Sequence, residues 1–226
     1  MYRFKGRIAS LIVSTFIMVK VVSAQTLPTA ATPESVGLSS AQLDRVEAIT
    51  RTHIEAGILP GAIMLVARDG KVAWSRVLGF QDRSKKLPMT TDSLFRIYSM
   101  TKPIVSVAIM MLVEEGKLQI SDPVSKYIPE FKETRVGVEK VGANGEATLE
   151  LSIPRRQITI QDLLRHTSGL TYGSGGKTLV HKSYIDARIG DRSVDNQEFA
   201  RRVASLPLRF SPGNQWEYGV STDVLG

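Results

Sequence analysis

The chain has 226 residues, which is enough for one domain with a real core or for two small ones. Its lack of cysteine excludes disulfides, thiol nucleophiles and thiolate metal sites. The net charge is +7, but the first 24 residues hold four of the 29 basic side chains and none of the 22 acidic ones, which leaves +3 for the remainder. No basic patch with interleaved aromatic residues is present, so no nucleic-acid partner is predicted.

Residues 1–24 have the pattern of a secretory signal peptide. Basic side chains precede an apolar run from Ile8 to Val22, and small residues follow it up to Ala24. The run is short and is broken by Lys20, which disfavours a membrane anchor. We therefore predict cleavage after Ala24 and a periplasmic or secreted bacterial protein without a stable membrane span.

The first predicted elements are a linker and a helix. Prolines and small polar residues predict a linker from Gln25 to Gly37. Ser39, followed three residues later by Gln42, forms a capping box that predicts a helix over Ser40–Ala56.

A β-hairpin is predicted next. The strand-like runs Gly61–Arg68 and Lys71–Leu78 are joined by Asp69-Gly70, which is a strong hairpin signal. Because two strands alone are marginally stable, we expect the hairpin to belong to a larger sheet. A polar connection over Gln81–Thr91 and an extended segment follow.

The stretch from Ser99 to Gly116 carries the strongest chemical signal. It opens with Ser99-Met100-Thr101-Lys102 and is apolar from Ile104 to Val113 apart from one serine. Apolar residues on every side predict a helix that is buried all round. The side chains of Ser99 and Lys102, at i and i+3, are expected on the same face.

This spacing suits nucleophilic catalysis. A serine hydroxyl needs a neighbouring base, and a lysine can serve only when neutral. We expect burial and the helix dipole to lower the pKa of Lys102, and the Ser99 backbone N–H to face a developing oxyanion. The two-residue pattern is weak by itself, since Ser174 and Lys177 repeat it in a glycine-rich loop that no helix orients.

The second half of the chain is predicted to be mainly helical. Glu133–Arg156 has the pattern of an inserted hairpin, which would be a candidate flap over the site, and Thr159 caps a short helix that ends near Arg165. A polar stretch follows the glycine-rich loop Gly173–Gly176. An amphipathic helix is predicted over Asn196–Ser205, and another begins near Ser221.

Other site types are disfavoured. Thr171 stands where a P-loop needs glycine, and the histidines His53, His166 and His181 lack metal-ligand spacing, so neither a cofactor nor a metal is predicted. We expect His166 to anchor its own turn. Tyr218 is the remaining polar group with a catalytic interpretation, and a half-buried structural tyrosine is the alternative.

Three ordered motifs carry a family resemblance. The sequences "SMTK", "ITIQDLLRHTSGL" and "SPGNQWEYGVSTDVLG" resemble those of the serine β-lactamase and penicillin-binding protein superfamily. The similarity runs from about Ser35 to Gly226. It is greatest to class C β-lactamases and to the family VIII carboxylesterases.

The resemblance implies a fold and three roles. The fold would be α+β and β-lactamase/transpeptidase-like, an antiparallel sheet flanked by helices (residues 25–98 here) beside a mostly helical domain (residues 99–226). Ser99 would be the acylated nucleophile, with Lys102 supporting its deprotonation. Tyr218 would act with Lys102 as the base and then as the acid for the leaving group.

Two departures from the family pattern matter. Val220 replaces the asparagine of the Tyr-x-Asn motif and so removes an amide that contacts β-lactam substrates. The Lys-Thr-Gly-type strand would lie beyond Gly226, so we expect 226 residues to form an incomplete domain, without its C-terminal strands, that is inactive and poorly folded alone.

The resulting prediction is an exported serine hydrolase that cleaves small carboxylic esters through an acyl-Ser99 intermediate. A β-lactamase or D-Ala-D-Ala carboxypeptidase, acting on amides, is the alternative enzyme. A penicillin-binding sensor that acylates without turnover is a third interpretation. The oligomeric state is left open.

Overall fold

The computed structural model describes residues 26–226, so the predicted signal peptide at 1–24 lies outside the described residues. The chain divides into two units, of which the first ends at Phe95 and the second begins at Arg96. Helices and antiparallel sheets occur together, which confirms the α+β class. Among residues 26–226, no helix is both long enough and apolar enough to cross a membrane.

The first unit is a helix followed by a three-stranded sheet in the order β1-β2-β3. The Ser39 side chain accepts a hydrogen bond from the Gln42 N–H and so starts the helix where the capping box predicts. The hairpin is antiparallel and is confirmed, although its second strand is longer than predicted. The elements are α1 (Ser40–Glu55), β1 (Gly61–Arg68), β2 (Lys71–Asp82) and β3 (Leu87–Pro88).

Two parts of this unit are more ordered than the sequence predicts. The predicted linker Gln25–Gly37 contains a 3₁₀ helix at Pro33–Val36, and the Ala30 N–H donates to the Val72 carbonyl at 2.9 Å. The predicted polar connection after β2 contains β3. Both segments are held by backbone hydrogen bonds, which the pattern of apolar residues in the sequence does not predict.

The second unit is mainly helical and carries a two-stranded sheet. Short 3₁₀ turns at Tyr98–Met100, Val124–Lys126 and Pro129–Glu133 connect its parts. Its helices and strands are α2 (Thr101–Glu114), β4 (Val136–Val141), β5 (Ala147–Ser152), α3 (Ile160–Arg165), α4 (Leu179–Asp186), α5 (Asn196–Ala204) and α6 (Ser221–Leu225).

Helix α2 is exposed where the sequence predicts burial. In α2 only Ile109 is buried, whereas Ile104, Val107 and Met111 are each more than half exposed. The prediction of a helix buried all round is therefore wrong for the described chain. Within this unit α2 packs against α6, and one packing partner covers only one side of a helix.

Helix α4 lies where the sequence predicts only a polar stretch. Thr178 caps it by accepting a hydrogen bond from the His181 N–H. The side chains of Val180, His181 and Tyr184 are buried. His181 and Tyr184 are not counted as apolar, so a count of apolar residues alone does not detect the helical spacing of these buried side chains.

The predicted hairpin within Glu133–Arg156 is present as β4 and β5. Its base is tied to the core, because the Gly137 N–H donates to the Leu208 carbonyl at 2.9 Å. Gly137 is required there, since a Cβ atom would lie 2.5 Å from Val180 Cγ2.

Candidate active site

Ser99 lies in the 3₁₀ turn Tyr98–Met100 immediately before α2, rather than inside the helix. Tyr98 has a positive φ of 46°, a conformation that costs a non-glycine residue energy and that often occurs next to functional groups. The Lys102 Nζ donates to the Ser99 Oγ at 3.3 Å. The two side chains therefore share a face, as their spacing predicts.

Tyr218 reaches the same serine from a distant part of the sequence. Its hydroxyl lies 2.6 Å from the Ser99 Oγ. The Lys102 Nζ lies 4.9 Å from the centre of the Tyr218 ring. The structure thus brings together all three residues that the sequence predicts for the site.

Two further residues complete the cluster and were missed. The Lys102 Nζ donates to the Tyr172 hydroxyl at 3.0 Å. The Tyr172 hydroxyl donates in turn to Asp223 Oδ2 at 3.0 Å. Both residues lie within the quoted family motifs or just after one, but nothing in their spacing indicates that they approach Lys102.

A glycine allows the segment that carries Tyr218 to approach the Tyr172 loop. A Cβ atom on Gly219 would lie 2.5 Å from the Leu170 carbonyl oxygen and 2.7 Å from Thr171 Cα. These contacts are too short for any side chain. Glycine at 219 therefore lets the two segments that bear the phenols lie side by side.

Ser168 joins the same two segments below the surface. Its hydroxyl lies 2.8 Å from the Ser221 hydroxyl, and both side chains are fully buried. The Ser168 Oγ also accepts the Leu170 N–H at 3.1 Å. The start of α6 is thereby fixed to the turn that precedes Tyr172.

His166 holds the backbone on both sides of Tyr218. Its carbonyl accepts the Glu217 N–H at 3.0 Å, and its Nδ1 accepts the Gly219 N–H at 3.4 Å. Burial and the nearby charge of Lys102 lower the pKa of His166, which keeps Nδ1 free to accept. The prediction that His166 acts as an anchor is supported, and the anchored segment includes Tyr218.

The electrostatics of Lys102 differ from the prediction. Burial is the largest influence on the pKa of Lys102 and lowers it. Interactions with Tyr172 and Tyr218, together with the charge of Asp223, outweigh burial and hold this pKa above its ordinary value. The expectation that the pKa of Lys102 is lowered is therefore wrong, because the acceptors around Nζ favour the ammonium form.

The two phenols have opposite shifts. Hydrogen bonding from Ser99, followed by interaction with Lys102, lowers the pKa of Tyr218. Burial and the charge of Asp223 raise the pKa of Tyr172 despite its contact with Lys102. Groups whose environments drive their pKa values apart are suited to different roles.

The cluster opens into a pocket of about 720 Å³ that contains both polar and apolar side chains. Ser174 also lines the pocket, but Lys177, its partner in the second Ser-x-x-Lys pattern, does not. Among residues 26–226, no set of three His, Cys, Asp or Glu side chains is placed to hold a metal ion. Further lining residues are Ser99, Lys102, Tyr172, Ile189, Arg192 and Phe199.

A serine held by a lysine and a tyrosine, in a chain with this fold, is the arrangement of the serine β-lactamase/transpeptidase class. The family model described as Beta-lactamase matches residues 46–226, and the chain belongs to that family.

Relatives with known names agree with this assignment. Esterase EstB of Burkholderia gladioli is 37% identical over 197 residues, which are 86% of this chain and 46% of the relative. Protein Rv1367c of Mycobacterium tuberculosis is 37% identical over 185 residues, which are 81% of this chain and 44% of the relative. The chain therefore spans about half the length of the curated relatives it matches.

Solved structures show the same fold. The structure of EstCE1, described as a hydrolase with promiscuous acyltransferase activity, superposes with a TM-score of 0.64 at 29% identity, over 81% of this chain and 45% of that one. Simvastatin synthase (LovD) of Aspergillus terreus superposes with a TM-score of 0.63 at 25% identity, over 87% of this chain and 46% of that one.

Proposed function

We propose that the protein is an exported serine hydrolase that cleaves small carboxylic esters through an acyl-Ser99 intermediate. The observation that carries the proposal is the 2.6 Å contact between the Tyr218 hydroxyl and the Ser99 Oγ, with the Lys102 ammonium 3.3 Å from the same oxygen. A nucleophile, a base and a fixed positive charge thus converge on one atom at the pocket surface.

Acylation begins with proton transfer from the Ser99 Oγ to the Tyr218 phenolate. The Oγ then bonds to the ester carbonyl carbon, and the carbonyl oxygen takes up negative charge. The Ser99 backbone N–H is our candidate for one hydrogen-bond donor to this oxygen. Tyr218 next gives its proton to the departing alkoxide, so an alcohol leaves and the acyl group stays on Ser99.

Deacylation repeats these steps with water. Tyr218 takes a proton from a water molecule, which bonds to the acyl carbon. The Ser99 Oγ then leaves and receives the proton from Tyr218, and a carboxylic acid is released. Lys102 keeps its positive charge throughout and stabilises the phenolate and the developing charge on Ser99.

Two observations favour esters over β-lactams. The position of the family's asparagine is occupied by Val220, which is buried and offers no side-chain hydrogen bond. EstB and EstCE1, which match most of this chain, carry the names of an esterase and a hydrolase. An activity toward carboxylic esters is therefore the function that we assign to the site.

The test is ester hydrolysis by the full-length protein and its Ser99→Ala variant. We expect turnover of p-nitrophenyl butyrate that the substitution abolishes, with little turnover of a penicillin. Ser106→Ala is the matched control, because Ser106 lies on α2 one turn after Lys102 and does not line the pocket. Peptide mapping after treatment with a fluorophosphonate is expected to locate the adduct on Ser99 and not on Ser174.

The outcomes separate the alternatives. Fast hydrolysis of the penicillin would replace the esterase assignment with a β-lactamase. A long-lived penicilloyl adduct on Ser99 would indicate a carboxypeptidase or a sensor. Ester turnover that survives Ser99→Ala would remove the catalytic role of Ser99 altogether.

A further inference from the structure

Tyr172 links the lysine of the site to a carboxylate. Its hydroxyl accepts a hydrogen bond from the Lys102 Nζ and donates one to Asp223 Oδ2, each at 3.0 Å. Because the ammonium group can only donate and the carboxylate can only accept, the direction of both bonds is fixed. The single proton of the Tyr172 hydroxyl is therefore committed to Asp223.

We propose that Asp223, acting through Tyr172, is a positioning residue for Lys102. The pair holds the Lys102 Nζ at the Ser99 Oγ and leaves Tyr218 as the phenol that takes the serine proton. This inference rests on the proposed function, since Ser99-dependent turnover is its first readout.

The fold makes Asp223 a rigid support. Asp223 lies in α6, and Ser221 at the start of that helix is hydrogen-bonded to buried Ser168 at 2.8 Å. Helix α6 also packs against α2, which carries Lys102. The carboxylate and the ammonium group thus belong to two elements in contact, and Tyr172 spans the distance between their charges.

The charges around the lysine agree with this division of roles. The titratable groups that influence Lys102, or are influenced by it, are Tyr172, Asp223, Tyr218 and His166. Burial, together with the charge of Asp223, raises the pKa of Tyr172, whereas the pKa of Tyr218 is lowered. The pKa of Lys102 is raised mainly by its contacts with Tyr172 and Tyr218, and the Asp223 charge acts in the same direction.

Two substitutions in the full-length protein separate charge from contact. Asp223→Asn keeps an oxygen that can accept from Tyr172 but removes the negative charge. Tyr172→Phe removes the hydroxyl between the two charges. For both variants kcat and KM for p-nitrophenyl butyrate are measured as functions of pH, and thermal unfolding confirms that each variant is folded.

We expect both variants to lower kcat about tenfold, with KM within about twofold of wild type, because the chemical step and not ground-state binding is affected. In Asp223→Asn both limbs of the pH profile move to lower pH. The sign follows because Asp223 raises the pKa of Tyr218, whose protonation forms the acid limb, and of Lys102, whose deprotonation forms the alkaline limb.

A matched control exists elsewhere in the same unit. Asp122 accepts hydrogen bonds from Lys126 at 2.9 Å and from Tyr127 at 2.5 Å, so the same three residue types are joined outside the pocket. Asp122→Asn and Tyr127→Phe are expected to leave kcat and both pH limbs unchanged. If these control variants changed kcat or the pH profile as much as the Asp223 and Tyr172 variants do, the effect would be one of general stability and not of positioning.

The outcomes distinguish this inference from the proposed function. If folded Asp223→Asn has the kcat and the pH profile of wild type, or changes only in KM, the positioning role is overturned. The proposal of a serine hydrolase would be unaffected by that result. A wild-type protein without Ser99-dependent turnover would overturn both. The pH dependence of fluorophosphonate labelling at Ser99, followed by intact mass, is a second readout and is expected to shift in the same direction.

Discussion

In the proposed mechanism, Lys102 and Tyr218 have different roles in activating Ser99. Interactions with Tyr172 and Tyr218 outweigh burial and hold the pKa of Lys102 above its ordinary value, which favours another group as the proton acceptor. We propose Tyr218 for that role, because its pKa is lowered and its oxygen lies 2.6 Å from the serine. In this proposal the lysine supplies charge, the tyrosine moves the proton, and the two groups titrate as one unit.

Tyr218→Phe tests this division directly. We expect kcat to fall by about 10²–10⁴, the usual contribution of a general base, and the acid limb of the pH profile to disappear. Tyr127→Phe, which removes a phenol outside the pocket, is the control. Wild-type activity in Tyr218→Phe would mean that Lys102 is the base after all.

Gly219→Ala tests whether the close approach of two loops sets the position of Tyr218. A methyl group would clash with the Leu170 carbonyl, so the segment must move away from Ser99. We expect a loss of about 1–3 kcal/mol in the free energy of unfolding and a fall in kcat of about 10²-fold. Gly175→Ala is the control, because a Cβ atom there has open space around it. Equal effects of both substitutions would contradict this account.

At the scale of elements, α3 and the turn after it are held by one buried carboxylate. Asp162 accepts from Arg156 at 2.8 Å, from the Thr159 N–H at 2.9 Å and from the Thr167 hydroxyl at 2.9 Å. Burial alone would raise the pKa of Asp162, but these hydrogen bonds hold it below its ordinary value. The turn that contains His166 is thereby fixed at its start.

Asp162→Asn is expected to cost about 1–2 kcal/mol in the free energy of unfolding, because it weakens the hydrogen bonds of a buried carboxylate whose partner Arg156 is about half exposed. Since the folded pKa is depressed, the stability that Asp162 contributes is present above about pH 4 and is lost as the pH falls through the folded value. Urea unfolding at several pH values measures both effects. Asp186→Asn, which affects an exposed ion pair with Lys182, is the control. A variant as stable as wild type at neutral pH would contradict the prediction.

The sequence predicts local features better than distant ones. The Ser99–Lys102 spacing, the capping serine of α1 and the Asp-Gly turn each depend on a few adjacent residues, and each occurs as predicted. Tyr218 stands out in the sequence only as a remaining polar group, and its role beside Ser99 comes from the family resemblance, since no local rule links the two residues. Tyr172 lies 70 residues from Lys102, and its contact depends on how several elements pack.

The errors have a common physical cause. The burial of α2 is predicted from its apolar composition. Composition shows which side chains a helix could bury, but it does not show which neighbours are present to cover them. The lowered pKa of Lys102 is predicted from burial and the helix dipole, whereas the acceptors that outweigh burial come from elsewhere in the chain. The burial of α2 and the pKa of Lys102 both depend on residues that only the tertiary structure brings close.

At the scale of the whole molecule, Lys102, Tyr172, Tyr218 and Asp223 all belong with Ser99 to the unit that begins at Arg96. The first unit supplies a hairpin and its helix. The signal-like segment at residues 1–24 precedes both, and its role stays a proposal.

Export gives a prediction for the intact gene product. Expressed in a bacterial host, the protein is expected in the periplasm or the medium with Gln25 as its first residue, because cleavage is predicted after Ala24. Intact mass of the purified protein measures this. Replacing Ala24 with a bulky residue is expected to block cleavage, and a mature protein that retains residues 1–24 would contradict the prediction.

The contact between Tyr218 and Ser99 spans 119 residues, whereas Lys102 is three residues from the serine. In a chain that is still folding, the serine and lysine can meet as soon as the start of α2 forms, but the base joins them only when a long loop of chain has closed. On the proposed mechanism, Ser99 therefore becomes nucleophilic only late in folding. We expect a nascent or partly unfolded chain to carry an unreactive serine, so that labelling of Ser99 would report that the unit has finished folding.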